Sequence, residues 1–214
     1  MPQRRQWPTS ATDKEQFVKY PVEHKSNTRR RVLQEAAKAI RTDGIERMGI
    51  APVMAAAGLT VGGFYAHFKS KDDLVAETVN FMFEERYAAF FETGDTPEPR
   101  AALARLVRAY LSMRHRNSTV GGCPLPVLAG QVPHLPKPAR ERFFRGFERL
   151  TAIVARLLQA LGSVDAAATA RITIAEMVGA LSLARVTRDD AEAQALLENT
   201  RRSIEHKLGL TQRP

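Results

Sequence analysis

The chain has 214 residues, 44% of them hydrophobic, and a formal net charge of +9, of which residues 1–75 hold +5. That length makes one large domain, or a small one joined to a medium one, and the basic excess points to a polyanion or an acidic surface as partner. One cysteine, Cys123, excludes an intrachain disulfide framework and fits a reducing compartment, and no apolar run approaches the ~18 residues of a membrane-crossing helix.

Residues 1–25 show no sustained period and hold Arg4, Arg5, Lys14, Lys19 and Lys25 among three prolines. They read as a basic, flexible arm, either following phosphates or simply solvated. No apolar segment follows the basic start, as a secretory signal would require. Ser26 or Asn27 then caps a helix to about Thr42, whose stripe is Leu33, Ala36, Ala37 and Ile40. Arg29, Arg30 and Arg31 sit in its first turn, where cations are unfavourable unless a polyanion passes or the face is solvated. Gly44 ends that helix.

A short second helix carries Ile50, Val53, Met54 and Ala57, with Pro52 in its first turn. Gly58-Leu59-Thr60 turns the chain, and a third helix runs from Thr60 to about Phe68. Two short helices joined by a tight glycine turn make a helix-turn-helix. Leu59, Phe64 and Phe68 should point inward, leaving Thr60, Val61, Gly63, Tyr65 and His67 outward. Such a helix reads base edges with its N-terminal residues and holds phosphates with its flanks. Thr60 and Val61 offer a hydroxyl and methyl groups. Gly62 and Gly63 sacrifice about 1 kcal/mol each of helix propensity and allow close backbone approach. Tyr65 and His67 reach for phosphates, and Lys71, beside the Ser70 cap of the next helix, makes a phosphate clamp.

The stretch Ala55-Ala-Ala-Gly-Leu-Thr-Val-Gly-Gly-Phe-Tyr-Ala-His-Phe-Lys-Ser-Lys-Asp-Asp-Leu74 resembles the DNA-binding domain of the TetR (TetR/AcrR) family of transcriptional regulators, matching its pattern at Gly58, Thr60, Gly62, Tyr65, Phe68, Ser70, Lys71 and Leu74. Two positions depart from it. Met48-Gly49 stands where a hydroxyl residue usually caps the second helix, and Pro52 where an acid is common, which puts the cap's phosphate contact in doubt. The resemblance implies an all-α fold of about nine helices: a helix-turn-helix domain over 26–70 and a helical effector-binding and dimerisation domain over 71–214. It also implies DNA-binding residues Arg29, Thr60, Val61, Gly62, Gly63, Tyr65, His67 and Lys71.

Beyond the reader, a helix from about Lys71 to Phe91 is apolar nearly all round and should be buried between two parts of the molecule. Thr93 to Pro99 breaks it, and Leu103, Leu106, Val107, Tyr110 and Leu111 form the next stripe. A loop over 117–122 precedes a short helix near 125–130, then long helices over 138–161, 165–186 and 189–208. Small residues in the penultimate helix (Ala175, Gly179, Ala180, Ser182, Ala184) allow close helix approach, either as intrachain core or as a dimer face. In the family the last two helices pair between subunits, which implies a homodimer on a palindromic double-stranded DNA operator.

Phe83, Tyr87, Phe90, Met113, Phe144, Phe147 and Met177 are candidates to line a small-molecule effector pocket or to be plain core, and Arg86, Arg114, His115 and Arg116 face either an anionic effector or water. Cys123 follows two glycines at a helix start; it reads either as a small buried hydrophobe or, by resemblance to a branch of the family, as a sensor of electrophiles or oxidants. No metal-ligand spacing or phosphate loop occurs, and Cys123 with His115 or His134 is the sole nucleophile–base candidate, without an orienting third group. The expectation is a cytoplasmic, non-enzymatic regulator without cofactor or metal, probing DNA as a homodimeric repressor released by a small molecule or by an electrophile or oxidant. The alternatives are a regulator without a ligand and a helical adaptor that has lost DNA binding.

Overall fold

Glycines and short acidic or hydroxyl side chains decide where the helices stop and start. The computed structural model describes residues 11–92, 97–118 and 120–211, with side chains from His24 onward. The elements are α1 (Ala11–Asp43), α2 (Ile50–Ala56), a 3-10 turn (Val61–Ala66), α3 (Lys71–Phe91), α4 (Pro99–Tyr110), α5 (Met113–Arg116), α6 (Leu125–Leu128), a second 3-10 turn (Ala129–His134), α7 (Lys137–Ala160), α8 (Ala166–Val186) and α9 (Asp190–Lys207). Among the described residues there is no strand. Ser70, Asp165 and Asp189 each accept a hydrogen bond from the backbone N–H three residues on, capping α3, α8 and α9. Gly58 closes α2 at φ 70°: its N–H donates to Ala55 O and that of Leu59 to Met54 O, the paired bonds of a left-handed C-terminal cap.

Val32, Leu33, Ala36, Ala37 and Ile40 of α1 pack with Met54 of α2, with Phe64 and Phe68 after the turn, and with Leu74 of α3. α3 lies against both α1 and α7, α7 against α8, and α8 against α9, so one buried core runs from the reader into the body. The all-round apolar character of α3 follows from this sandwich: Leu74, Val75, Thr78, Val79, Met82, Phe83 and Tyr87 are all buried. At its crossing with α7, Gly146 lets the helices close onto the Phe83 ring.

Several expectations change. The first helix begins at Ala11, not at Ser26 or Asn27, so residues 11–25 continue α1 while the rest of the expected arm falls outside the described residues. A helix already nucleated on a core adds turns without needing a buried stripe of its own. A one-turn helix, α5, interrupts the stretch before the loop; Ser112 caps it by accepting from the His115 N–H at 3.2 Å. The penultimate helix, α8, is apolar enough over its 21 residues to cross a membrane by length and composition, contrary to the reading that no such run exists. Its Ala170, Thr173, Ile174, Met177, Ala180, Leu181 and Ala184 are buried in this chain's own core, which accounts for part of that apolarity.

Candidate nucleic-acid interface

The reading segment is a 3-10 turn, Val61–Ala66, where an α-helix was expected. Gly63 N–H donates to Thr60 O, and His67 N–H to Phe64 O, both three residues back. Two adjacent glycines weaken the four-residue pattern, and the tighter turn results. Six residues at about 2 Å rise make a segment of about 12 Å, close to the width of a B-DNA major groove.

Phe64 and Phe68 are buried and stacked at 5.7 Å between centroids, fixing the turn to the body. Opposite them, Thr60, Val61 and Gly62 are exposed, Val61 at 50% and Tyr65 at 74%. Thr60 has the backbone geometry of an N-cap, but its side chain makes no capping bond, so the hydroxyl is left for a partner. A side-chain carbon built at Gly62 or Gly63 would meet nothing nearer than 3.9 Å, and neither glycine has a positive φ. Nothing inside the chain therefore requires glycine at either position. At the far end, Ser70 Oγ accepts from Asp73 N–H at 3.1 Å and an Asp73 carboxylate oxygen accepts from Lys69 N–H at 2.9 Å. Lys71 stands exposed on the first turn of α3, with Lys69 exposed two residues before it. Lys69 is a flank cation that the sequence reading passed over, although its position two residues before Lys71 was visible.

Arg29 and His67 sit differently from their neighbours. The Arg29 guanidinium lies 4.8 Å from the Phe68 ring centroid, 3.4 Å from Glu77 and within 3.5 Å of the His67 carbonyl. It ties α1 to the reading turn and to α3. Glu77 also holds Arg142 of α7 at 3.0 Å, so this one carboxylate joins reader and body. Arg31 donates to the Ala57 carbonyl, closing the end of α2. Because α1 starts at Ala11, Arg29, Arg30 and Arg31 lie inside the helix and not in its first turn as expected, and Arg29 and Arg31 meet internal acceptors that local sequence does not show. Burial first, then the positive charges of Lys25 and Arg29, hold His67 below the usual histidine range. The cap of α2 is Gly49, without any side-chain bond, as the departure at Met48-Gly49 implied. A side chain there would stand 3.1 Å from the Pro52 ring, so the two departures belong together.

One turn of α3 connects this face to the body. Glu84 pairs with Arg149 of α7 at 2.6 Å and Glu85 with Arg41 of α1 at 2.7 Å. Arg86 donates to the Ala109 carbonyl of α4, and the Tyr87 hydroxyl donates to Cys123 Sγ at 2.9 Å. Successive helical residues point about 100° apart, so four neighbours grip four parts of the molecule. Arg41, whose side chain is 4% exposed, also donates to Gly122 O, next to the cysteine.

Cys123 is fully buried, and burial raises its thiol above the usual range. The helix after it is only four residues long. The structure therefore gives Cys123 the buried alternative, not a thiolate at a helix end. His115 Nε2 accepts from the Cys123 backbone N–H at 3.1 Å, so its Nδ1 is the protonated nitrogen that donates to Tyr110 O at 2.8 Å. Burial, then the Arg86 charge, lowers His115 to about 4. It is a neutral brace, facing neither water nor an effector.

The seven pocket candidates differ in their surroundings. Phe83 and Met177 are core, Phe144 is exposed, and Met113 and Phe147 are partly buried against the core. Tyr87 and Phe90 line one cleft together.

Residues 32–78 match the family "Bacterial regulatory proteins, tetR family", and residues 99–200 match "Tetracyclin repressor-like, C-terminal domain". The HTH-type transcriptional regulator TtgR of Pseudomonas putida is 27% identical over 93 residues, which span 42% of this chain and 44% of that protein, under half of either. A TetR transcriptional regulator of Chloroflexus aurantiacus superposes with a TM-score of 0.73 at 27% identity, covering 87% of this chain and 96% of that one. Reduced NemR of E. coli gives a TM-score of 0.73 at 19% identity, covering 84% and 97%, a likeness of fold. With both parts of the chain matched and the reading turn presented as above, this protein belongs to the TetR family of DNA-binding transcriptional regulators.

Proposed function

We propose that the protein is a homodimeric repressor that grips a palindromic double-stranded operator and leaves it when a small molecule binds the C-terminal helices. The observation that carries the DNA contact is the reading turn: a face of Thr60, Val61, Gly62, Gly63, Tyr65 and Lys71 with no internal employment, set on a buried aromatic base. With few long polar side chains there, specificity leans on methyl contacts, DNA shape and the spacing of two readers. Arg29 and His67 support that face as positioning residues.

Dimerisation is supported by α8. Ile172, Ala175, Gly179, Leu183 and Val186 follow each other at three- and four-residue steps and are all exposed, a continuous apolar stripe. A side chain at Gly179 would meet nothing within 4 Å, so a second helix can approach closely there. Ala180 and Ala184, also candidates for the dimer face, are used inside this chain, as are Leu197 and Ile204 of α9. Release by ligand is supported by the Glu84–Tyr87 turn, through which a shift in the body reaches α1 by way of Glu85 and Arg41. The buried, raised Cys123 thiol favours a reversible ligand over an electrophile or oxidant as the signal. A cytoplasmic location accompanies this reading. The exposed Tyr65 and Lys71 favour it over an adaptor that has lost DNA binding.

Selection of duplexes from a random pool tests it. The expected product is a palindrome with half-sites about 34 Å, one helical turn, or a multiple apart. Tyr65→Ala should lose the enrichment while remaining dimeric by light scattering. Enrichment of no duplex, or equal enrichment by Tyr65→Ala, would defeat the interface.

A further inference from the structure

Between α3 and α4 lies a cleft of about 280 Å³, lined by Arg86, Tyr87, Phe90, Arg105, Leu106 and neighbouring alanines. Among the described residues no carboxylate lines it. Arg105 is exposed at its rim. Arg86 spends one amino nitrogen on the Ala109 carbonyl at 3.3 Å, and its guanidinium carbon lies 5.8 Å from the Tyr87 ring centroid. Its Nε is buried and has no hydrogen-bond partner, and among the described residues no acid pairs with the group. A buried donor on a charged group without an acceptor is unfavourable, and such groups are rare in folded proteins unless something else completes them.

We infer that this cleft binds a small organic monocarboxylate, whose apolar body lies on Phe90, Ala102 and Leu106 and whose carboxylate accepts hydrogen bonds from Arg86, with Arg105 completing the positive rim. The charge complementarity selects an anion, because two guanidiniums and, among the described residues, no acid line the cleft. The guanidinium offers further N–H donors to a carboxylate beside the one spent on Ala109. The small volume and apolar floor select a compact molecule with a hydrocarbon portion. The inference names the chemistry of the effector and so rests on the ligand-released reading above. The consequence for DNA follows from position, since Arg86 stands between Glu85, which holds Arg41 of α1, and Tyr87, which holds the Cys123 loop.

The test is isothermal titration of the full-length protein with hexanoate and benzoate, each beside its neutral amide, hexanamide and benzamide. At least one carboxylate should bind, and its amide should bind at least tenfold more weakly. Arg86→Gln and, separately, the exposed Arg105→Gln should each weaken that carboxylate about tenfold with the thermal unfolding midpoint unchanged. If Arg86→Gln fails to fold, the amide comparison and Arg105→Gln decide alone. The assignment is overturned if neither carboxylate binds at millimolar concentration, if the amides bind equally, or if the folded variants keep wild-type affinity. Adding the binding carboxylate to a protein–operator complex separates the two levels: release supports both, whereas binding without release overturns the effector reading and leaves the cleft assignment standing.

Discussion

Replacing Gly146 by alanine sets two effects against each other. Gly146 lies inside α7, where a Gly→Ala change raises helix propensity by about 1 kcal/mol. Against this, the new methyl carbon would stand 2.4, 2.5 and 2.6 Å from three atoms of the Phe83 ring. The ring cannot step aside: it is 2% exposed, edge-on to Phe143 at 5.9 Å and beside Tyr87 at 6.4 Å. Overpacking of a filled core costs about 1–3 kcal/mol, and three simultaneous overlaps on an immobile ring belong in the upper part of that range. The expected net effect is destabilisation by about 1–2 kcal/mol, read from urea midpoints at one fixed protein concentration with the slope unchanged. Phe83→Leu, which removes the overlapping ring, should recover part of the loss when combined with Gly146→Ala, giving a coupling energy of opposite sign to the single losses. A Gly146→Ala protein more stable than wild type would mean that propensity wins and that α3 and α7 do not approach this closely.

Other outcomes follow from named contacts. Lys71→Ala should leave stability within about 0.5 kcal/mol of wild type, because the residue is exposed, yet weaken DNA binding across sequences and lower the salt slope by about one; an unchanged gel-shift affinity contradicts the phosphate clamp. His115 has a folded pKa of about 4 against 6.5 unfolded, so the unfolded chain binds more protons in that window. Its contribution is fully present above pH 6.5 and lost as pH falls toward 4, by about 3 kcal/mol, so wild-type urea midpoints should fall faster than those of His115→Gln on acidification; parallel profiles would refute the neutral brace. Cys123 should react with iodoacetamide at pH 8 at least a hundredfold more slowly in the native protein than in urea, since it is fully buried with its thiol raised. Rapid labelling of native protein would reopen the thiol signal. Arg41→Met should preserve duplex binding but reduce the effect of a bound effector on it, because Arg41 joins α1 to Glu85 and to Gly122 O; full retention of release locates the coupling elsewhere.

Much of the scaffold is legible from neighbours in the chain. Ser70, Asp165 and Asp189 cap helices because a short acceptor side chain reaches an N–H three residues away, whatever surrounds it. Gly58 turns α2 into the reading segment for a similarly local reason, its positive φ, and the stripe of α1 states which face is buried. The outward set Thr60, Val61, Tyr65 and Lys71 follows from those same short-range rules together with the inward Phe64 and Phe68. Tertiary structure alone decided what depends on partners far along the chain. Arg29 and Arg31 stand open between a polyanion and a solvated face until Glu77 and the Ala57 carbonyl are brought against them. Cys123 stands open between a buried hydrophobe and a helix-end thiolate until Tyr87, 36 residues away, closes over it. The apolar residues of α8 divide into core and free face only once α7 and α9 have taken their share. Backbone geometry is a property of a few adjacent residues, whereas burial, protonation and the pairing of charges depend on which surfaces the whole chain folds together.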